Sequence, residues 1–232
     1  MTSELFDRLR RTLTNYAAAA AKKFGGVTSG EPEDQLRAPF ETLLVDAAAA
    51  MNTPVGVRGE VRLPGIGKPD YAVTDPATGL PLGYAELKAP GGGVVKSDLD
   101  TRSKKQFDRF LTLGNVLYCD GSSFALYQDG RKVRHLKLDA DVTIDGKAAI
   151  GDGDGERFFH LLRDFLHWEP TLPPRLTARK LADLLAPLCR FLRGEFNDAM
   201  DKPGSHVRLV ADQLKTRLFP DAEGEQIADA YA

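Results

Sequence analysis

The hydrophobic period of this chain changes partway along and then changes back. In residues 3–51 apolar side chains recur at helical spacing. Leu5, Phe6, Leu9 and Leu13 lead into an alanine run, and after the GGVTSG break at 25–30 a second stripe follows in Leu36, Phe40, Leu43, Leu44 and Ala47. From residue 55 the spacing is two. VGVRGEVRL (55–63) alternates Val55, Val57, Val61 and Leu63 around Gly59, and PDYAVT (69–74), LGYAELK (82–88), NVLYCD (115–120), SFALYQ (123–128) and KVRHLKL (132–138) are further short strand-like runs between turn signals. One helical stretch, 98–113, interrupts them and ends at Gly114. After the polar DGDGE at 152–156, which reads as a turn, the period is helical again in ERFFHLLRDFLHW, LTARKLADLLAPLCRFLRGEF and VRLVADQLKTRLF, with PTLPPR (170–175) as a linker. Side chains share a face every 3.6 residues on a helix and every two on a strand, so this pattern predicts an α/β core followed by an all-helical tail. The boundary is expected near 152, giving an α/β domain over 1–152 and a helical region over 153–232.

Bulk properties narrow the class. The chain has 232 residues, 42% hydrophobic and 28% charged, enough to bury a core and unlike a disordered composition. No apolar run approaches the roughly 20 residues that span a bilayer, and MTSELFDRLRRTL is too charged for a secretory signal. Cys119 and Cys189 stand far apart without metal-ligand spacing, which fits reduced thiols in the cytoplasm. The net charge is −2, yet from Lys88 to Lys137 ten Lys and Arg stand against five Asp. Such a patch either binds phosphates or is a solvated mixed-charge surface.

The segment GKPDYAV…GYAELKAP carries the chemistry. Its connecting residues, 75–81, centre on Thr78, so a regular hairpin places Asp70 opposite Glu86. Directly opposed residues have Cβ atoms about 4.5–5.5 Å apart, a costly distance for two like charges. A hard divalent cation between them compensates, since carboxylate oxygens are the ligands Mg²⁺ prefers. Lys88 lies two residues past Glu86, on the same strand face, and its ammonium is delivered to the same place. The AlaProGlyGlyGly loop at 89–93 leaves room for a bulky polyanion. Other motifs fall short. The glycines of LPGIGKPD precede a strand rather than a helix, GGG lacks the ending of a phosphate loop, and DGDGE lacks the spacing of a calcium loop. His135, His160, His167 and His206 share no ligand spacing, and Trp168 with Phe158, Phe159 and Phe165 fits a helix core.

Pro69-Asp70 followed by Glu86-Leu87-Lys88 resembles the PD-(D/E)xK nuclease superfamily, as does the order helix, three strands, helix, strand over residues 31–120. The resemblance implies a restriction-endonuclease-like fold, a mixed sheet flanked by helices. It also implies a catalytic set of Asp70, Glu86, Lys88 and Gln106, the last from a Gln-x-x-x-aromatic pattern in which Phe110 stands where the family often has Tyr. Asp70, Glu86 and the carbonyl of Leu87 are then expected to bind Mg²⁺, with Mn²⁺ able to substitute, and an acid on the preceding helix, Glu41 in preference to Glu33, joins them. Lys96, Lys104 and Lys105 are expected to contact the DNA backbone. More narrowly, the run through ELKAPG to KQFDRFLTLGNVLYCDG resembles the N-terminal nuclease domains of large restriction-modification polypeptides, of the Type IIG or single-polypeptide Type I class. FPDAEGEQIADAYA at the C-terminus is similar to the entry of their helical connector. That implies hydrolysis of double-stranded DNA in phage defence, with an N6-adenine methyltransferase and a target-recognition domain farther along a longer polypeptide. The alternative is a catalytically silent version of the fold acting as a DNA-binding or scaffold module, against which the intact Asp-Glu-Lys set speaks.

Overall fold

The computed structural model describes residues 2–26, 30–170 and 177–218. The centre of the GGVTSG break, all of the PTLPPR linker but its first proline, and the FPDAEGEQIADAYA segment lie outside them. Two helices open the chain, α1 (Thr2–Phe24) and α2 (Pro32–Ala50), followed by strands β1 (Gly56–Gly59), β2 (Tyr71–Thr74) and β3 (Pro81–Leu87). Helix α3 (Thr101–Phe110) leads to β4 (Asn115–Cys119), β5 (Ser123–Gln128) and β6 (Arg131–Lys137), and the helices α4 (Asp154–Leu166), α5 (Ala178–Asp201) and α6 (His206–Leu218) complete the chain.

The six strands form one sheet in sequence order. All neighbours are antiparallel except β3 and β4, which run parallel. The exception follows from the connections, because parallel neighbours need a crossover and α3 supplies one. Between β5 and β6 the link is two residues, Asp129 and Gly130, both with positive φ (48° and 77°). That is the backbone a tight hairpin turn requires, and Asp-Gly adopts it readily.

Alternation along the strands sorts the core into two layers. Tyr71, Val73, Ala85, Leu87, Leu117, Cys119, Phe124 and Leu126 face α1, α2 and α4, while Ala72, Tyr84, Val116, Tyr118, Ala125 and Tyr127 face α3, with Phe191 of α5 joining them. Helices thus cover both faces of a mixed sheet, the restriction-endonuclease-like arrangement, with a helical region after it. Helix α4, beyond the boundary expected near 152, buries Phe158, Leu161, Leu162, Phe165 and Leu166 in the same core as α1 and α2. Its start takes in much of DGDGE: Asp154 is fully buried and accepts from the Gly151 N–H at 2.8 Å. The first strand is shorter than its alternation predicts. Glu60 has φ 53° and the chain then turns through Leu63–Gly67, so the ladder ends at Gly59, although Val61 and Leu63 stay buried with Ile66.

Candidate metal centre

The register of the β2–β3 hairpin is Tyr71 to Ala85, Ala72 to Tyr84 and Val73 to Gly83, which extends outward to Asp70 opposite Glu86. A bulge between Val73 and Thr74 lies on the turn side and leaves the site end in phase. The two acids are tied reciprocally through the backbone. The Leu87 N–H donates to Asp70 Oδ2 at 2.7 Å, and the Asp70 N–H donates to Glu86 Oε2 at 3.3 Å. Both acids are buried, Asp70 being 7% and Glu86 3% exposed. Lys88 shares the face of Glu86, and its Nζ donates to Glu86 Oε1 at 2.7 Å. Leu87 itself points into the opposite core layer, so its contribution here is through the backbone.

A third carboxylate comes from α2. Glu33, in the first turn of that helix where the dipole favours an acid, completes a group with Asp70 and Glu86 in which one oxygen of each lies within 4.8 Å of the others. The helix acid expected first, Glu41, does not join this group: it lies two turns farther along, on an exposed stretch of the helix. Among the described residues this is the one group of three or more acids, histidines or cysteines able to hold a metal. Helix α2 is held to β2 by the Tyr71 hydroxyl, which donates to the Arg37 carbonyl at 3.0 Å, and by the Phe40 and Tyr71 rings, 5.8 Å apart.

Charge in this pocket is more nearly balanced than the sequence suggests. Arg37, which sequence reasoning missed, places Nη2 2.6 Å from Asp70 Oδ1 and Nε 2.9 Å from Asp34 Oδ1. Arg37 and Lys88 together compensate the opposed carboxylates, the role assigned from sequence to a bound cation alone. Glu86 still sits uneasily. Burial first, then the neighbouring Asp70, pushes its carboxyl from 4.5 up to about 7 against the pull of Lys88, and burial likewise raises Glu33.

The residues expected on and before α3 are spread out. Helix α3 packs through Phe107 and Phe110 onto the sheet face that carries Glu86 and Lys88, and Gln106 is half-buried beside Phe107. Lys105 is exposed and Lys104 half-buried. Lys96 lies just before α3, paired with Asp108 at 2.6 Å. Of the three tyrosine hydroxyls on this face, that of Tyr127 donates to the Val94 carbonyl at 2.9 Å, while those of Tyr84 and Tyr118 are buried with no hydrogen-bond partner among the described residues, and Tyr118 is aligned with Glu86 across the parallel ladder. Asp120 pins the glycine loop down, accepting from the N–H groups of Gly93 at 3.1 Å and Ser123 at 2.8 Å. Cys119 is buried and Cys189 exposed, and both are free thiols. No helix among the described residues is long and apolar enough to cross a membrane.

No family model matches the chain, and no curated protein matches it. Seven chains of solved structures do match. One, described as the cryo-EM structure of the DrdV–DNA complex, is 22% identical with a TM-score of 0.47, covering 72% of this chain and 99% of that one.

Proposed function

We propose that this chain is a Mg²⁺-dependent nuclease domain that hydrolyses phosphodiester bonds of double-stranded DNA. The observation that carries the reading is the convergence of Glu33, Asp70 and Glu86 within 4.8 Å, with the Lys88 ammonium hydrogen-bonded to Glu86. The donor set fits the ion, because it is all carboxylate oxygen, with no thiol or imidazole to favour a softer metal. When bound, Mg²⁺ supplies Lewis-acid stabilisation of the phosphate and a water made more nucleophilic at neutral pH.

The protein's own residues do the rest. Asp70 and Glu86 are preset by backbone amides on one side, so their other oxygens are aimed before any ligand arrives. The Leu87 carbonyl is the main-chain ligand of this reading. Lys88 keeps its ammonium against Glu86 until a phosphate enters, then faces the negative charge that develops there. Gln106 positions the reacting phosphate, and Lys104 and Lys105 hold the backbone farther out. Lys96, already paired with Asp108 at the surface, contributes less. The wider setting, a cleavage module for phage defence that acts in the cytoplasm with methyltransferase and recognition domains in one polypeptide, rests on the resemblance of the ELKAPG region.

Plasmid DNA tests the reading. With Mg²⁺ the wild-type chain should nick and linearise it, while Asp70→Ala, Glu86→Ala and Lys88→Ala each lose on the order of a hundredfold or more and still fold. Full cleavage by the Asp70 variant would overturn the assignment, and DNA binding without cleavage by the wild type would favour the silent module.

A further inference from the structure

Arg37 is the charged side chain in the centre that the reading above leaves without a task. It lies four residues after Glu33, on the same side of α2, and its side chain is 29% exposed where that of Asp70 is 9%. The guanidinium therefore reaches from the solvent edge into the carboxylate group. Its two ends are held differently: Nε is on the exposed Asp34, and Nη2 is on Asp70 Oδ1.

The pairing in the site follows a rule. Each buried acid turns one oxygen to a backbone amide and the other to a side-chain cation. Asp70 gives Oδ2 to the Leu87 N–H and Oδ1 to Arg37, while Glu86 gives Oε2 to the Asp70 N–H and Oε1 to Lys88. The amide-bonded oxygens are fixed by the hairpin. Those bonded to cations are exchangeable, and a divalent cation brings to them the same two charges that Arg37 and Lys88 bring together. Buried acids are tolerated only when paired, so these two residues keep the cation-free site intact. Arg37 must then step aside for a divalent cation to reach Asp70 Oδ1. An arginine displaced from Asp70 but still held at Nε by Asp34 stays at the mouth of the site. Its planar fork of N–H groups suits a phosphate.

We propose that Arg37 is the resident counter-ion of the cation-free centre, that it yields Asp70 Oδ1 to the divalent cation, and that it then binds a phosphate of the substrate DNA. The proposal rests on the metal-centre reading of the same residues. Asp34 is the pivot of the exchange, and the exposed end of the side chain gives it room to turn.

Two variants and two readouts test it: melting at increasing Mg²⁺ without DNA, and single-turnover plasmid cleavage at saturating Mg²⁺. Arg37→Met should melt lower than the wild type in EDTA. It should also reach its Mg²⁺-induced rise in Tm at a several-fold lower Mg²⁺ concentration, because the competitor for Asp70 is gone. Its cleavage at saturating Mg²⁺ should nevertheless fall tenfold or more. Arg37→Lys should recover the EDTA melting temperature but not the cleavage rate, lacking the fork. If Arg37→Met folds poorly, Arg37→Gln, which loses the charge but can still donate to Asp70, should show the same loss of cleavage and a smaller fall in the Mg²⁺ midpoint. An unchanged or higher Mg²⁺ midpoint, or an unchanged cleavage rate, overturns the proposal while the metal centre stands. A wild type with neither a Mg²⁺-dependent shift nor cleavage overturns both.

Discussion

Glu86 is where burial and charge pull against each other most openly. Its carboxyl is pushed from 4.5 to about 7, so between those values the folded protein keeps a proton that the unfolded chain has released. Stability in the absence of metal therefore falls as pH rises through that window, and above pH 7 the whole penalty, on the order of 3 kcal/mol, is present. Glu86→Gln removes it. In EDTA this variant should melt above the wild type at pH 8, and the difference should vanish below about pH 4.5. A difference that does not depend on pH would mean that Glu86 is held charged, not strained. At this scale much was legible from sequence: the register placed Asp70 against Glu86, and the period of two placed Lys88 beside it. The choice of helix acid was not. Glu33, Arg37 and Glu41 are spaced four apart and share one side of α2, so phase alone says which side faces the site but not how far along the helix the sheet ends. Arg37 was hidden for the same reason, its only signal being a cation between two acids on one stripe.

Helix α4 shows what periodicity leaves open at the scale of elements. Its apolar stripe predicted a helix, but a stripe does not name the surface it covers. In the structure it lies against α1 and the sheet, close enough that a Cβ at Gly155 would overlap the Phe6 carbonyl. Phe158 and Phe165 fill the layer beneath. Phe158→Ala is expected to cost about 3–5 kcal/mol. A chain ending at 152 should fail to melt cooperatively, because the sheet face it leaves bare is apolar. Calorimetry of both would check this, and a truncated chain that melts like the whole would place α4 outside the core unit. The strands were easier. Turn chemistry marked their ends well except at β1, where alternation ran on through Val61 and Leu63 although the backbone turns away after Glu60, whose N–H makes the last bond of the pairing, to the Asp70 carbonyl.

Across the whole molecule, charge is distributed rather than abundant. A net of −2 accompanies a basic excess between Lys88 and Lys137, so binding to a polyanion must be local. Part of that excess is neutralised by acids outside the segment, as Arg134 is by Asp164. Lys105, exposed on α3, is a better candidate for a phosphate contact, and Lys105→Ala should lower the salt slope of DNA binding by about one for all sequences alike. Titrations at several salt concentrations would show it, and an unaltered slope would take α3 off the DNA-facing surface. The two helix-covered faces of the sheet bring the end of a hairpin and the start of a helix to one place, and that convergence, not any single motif, makes the centre. It can be seen directly by soaking Mn²⁺ into crystals of the protein and locating the ion by anomalous scattering. The ion should lie about 2.0–2.2 Å from oxygens of Asp70 and Glu86, with Glu33 in its shell and Glu41 outside it. No anomalous peak between these carboxylates at saturating Mn²⁺, or a peak elsewhere in the molecule alone, would contradict the assignment of this site.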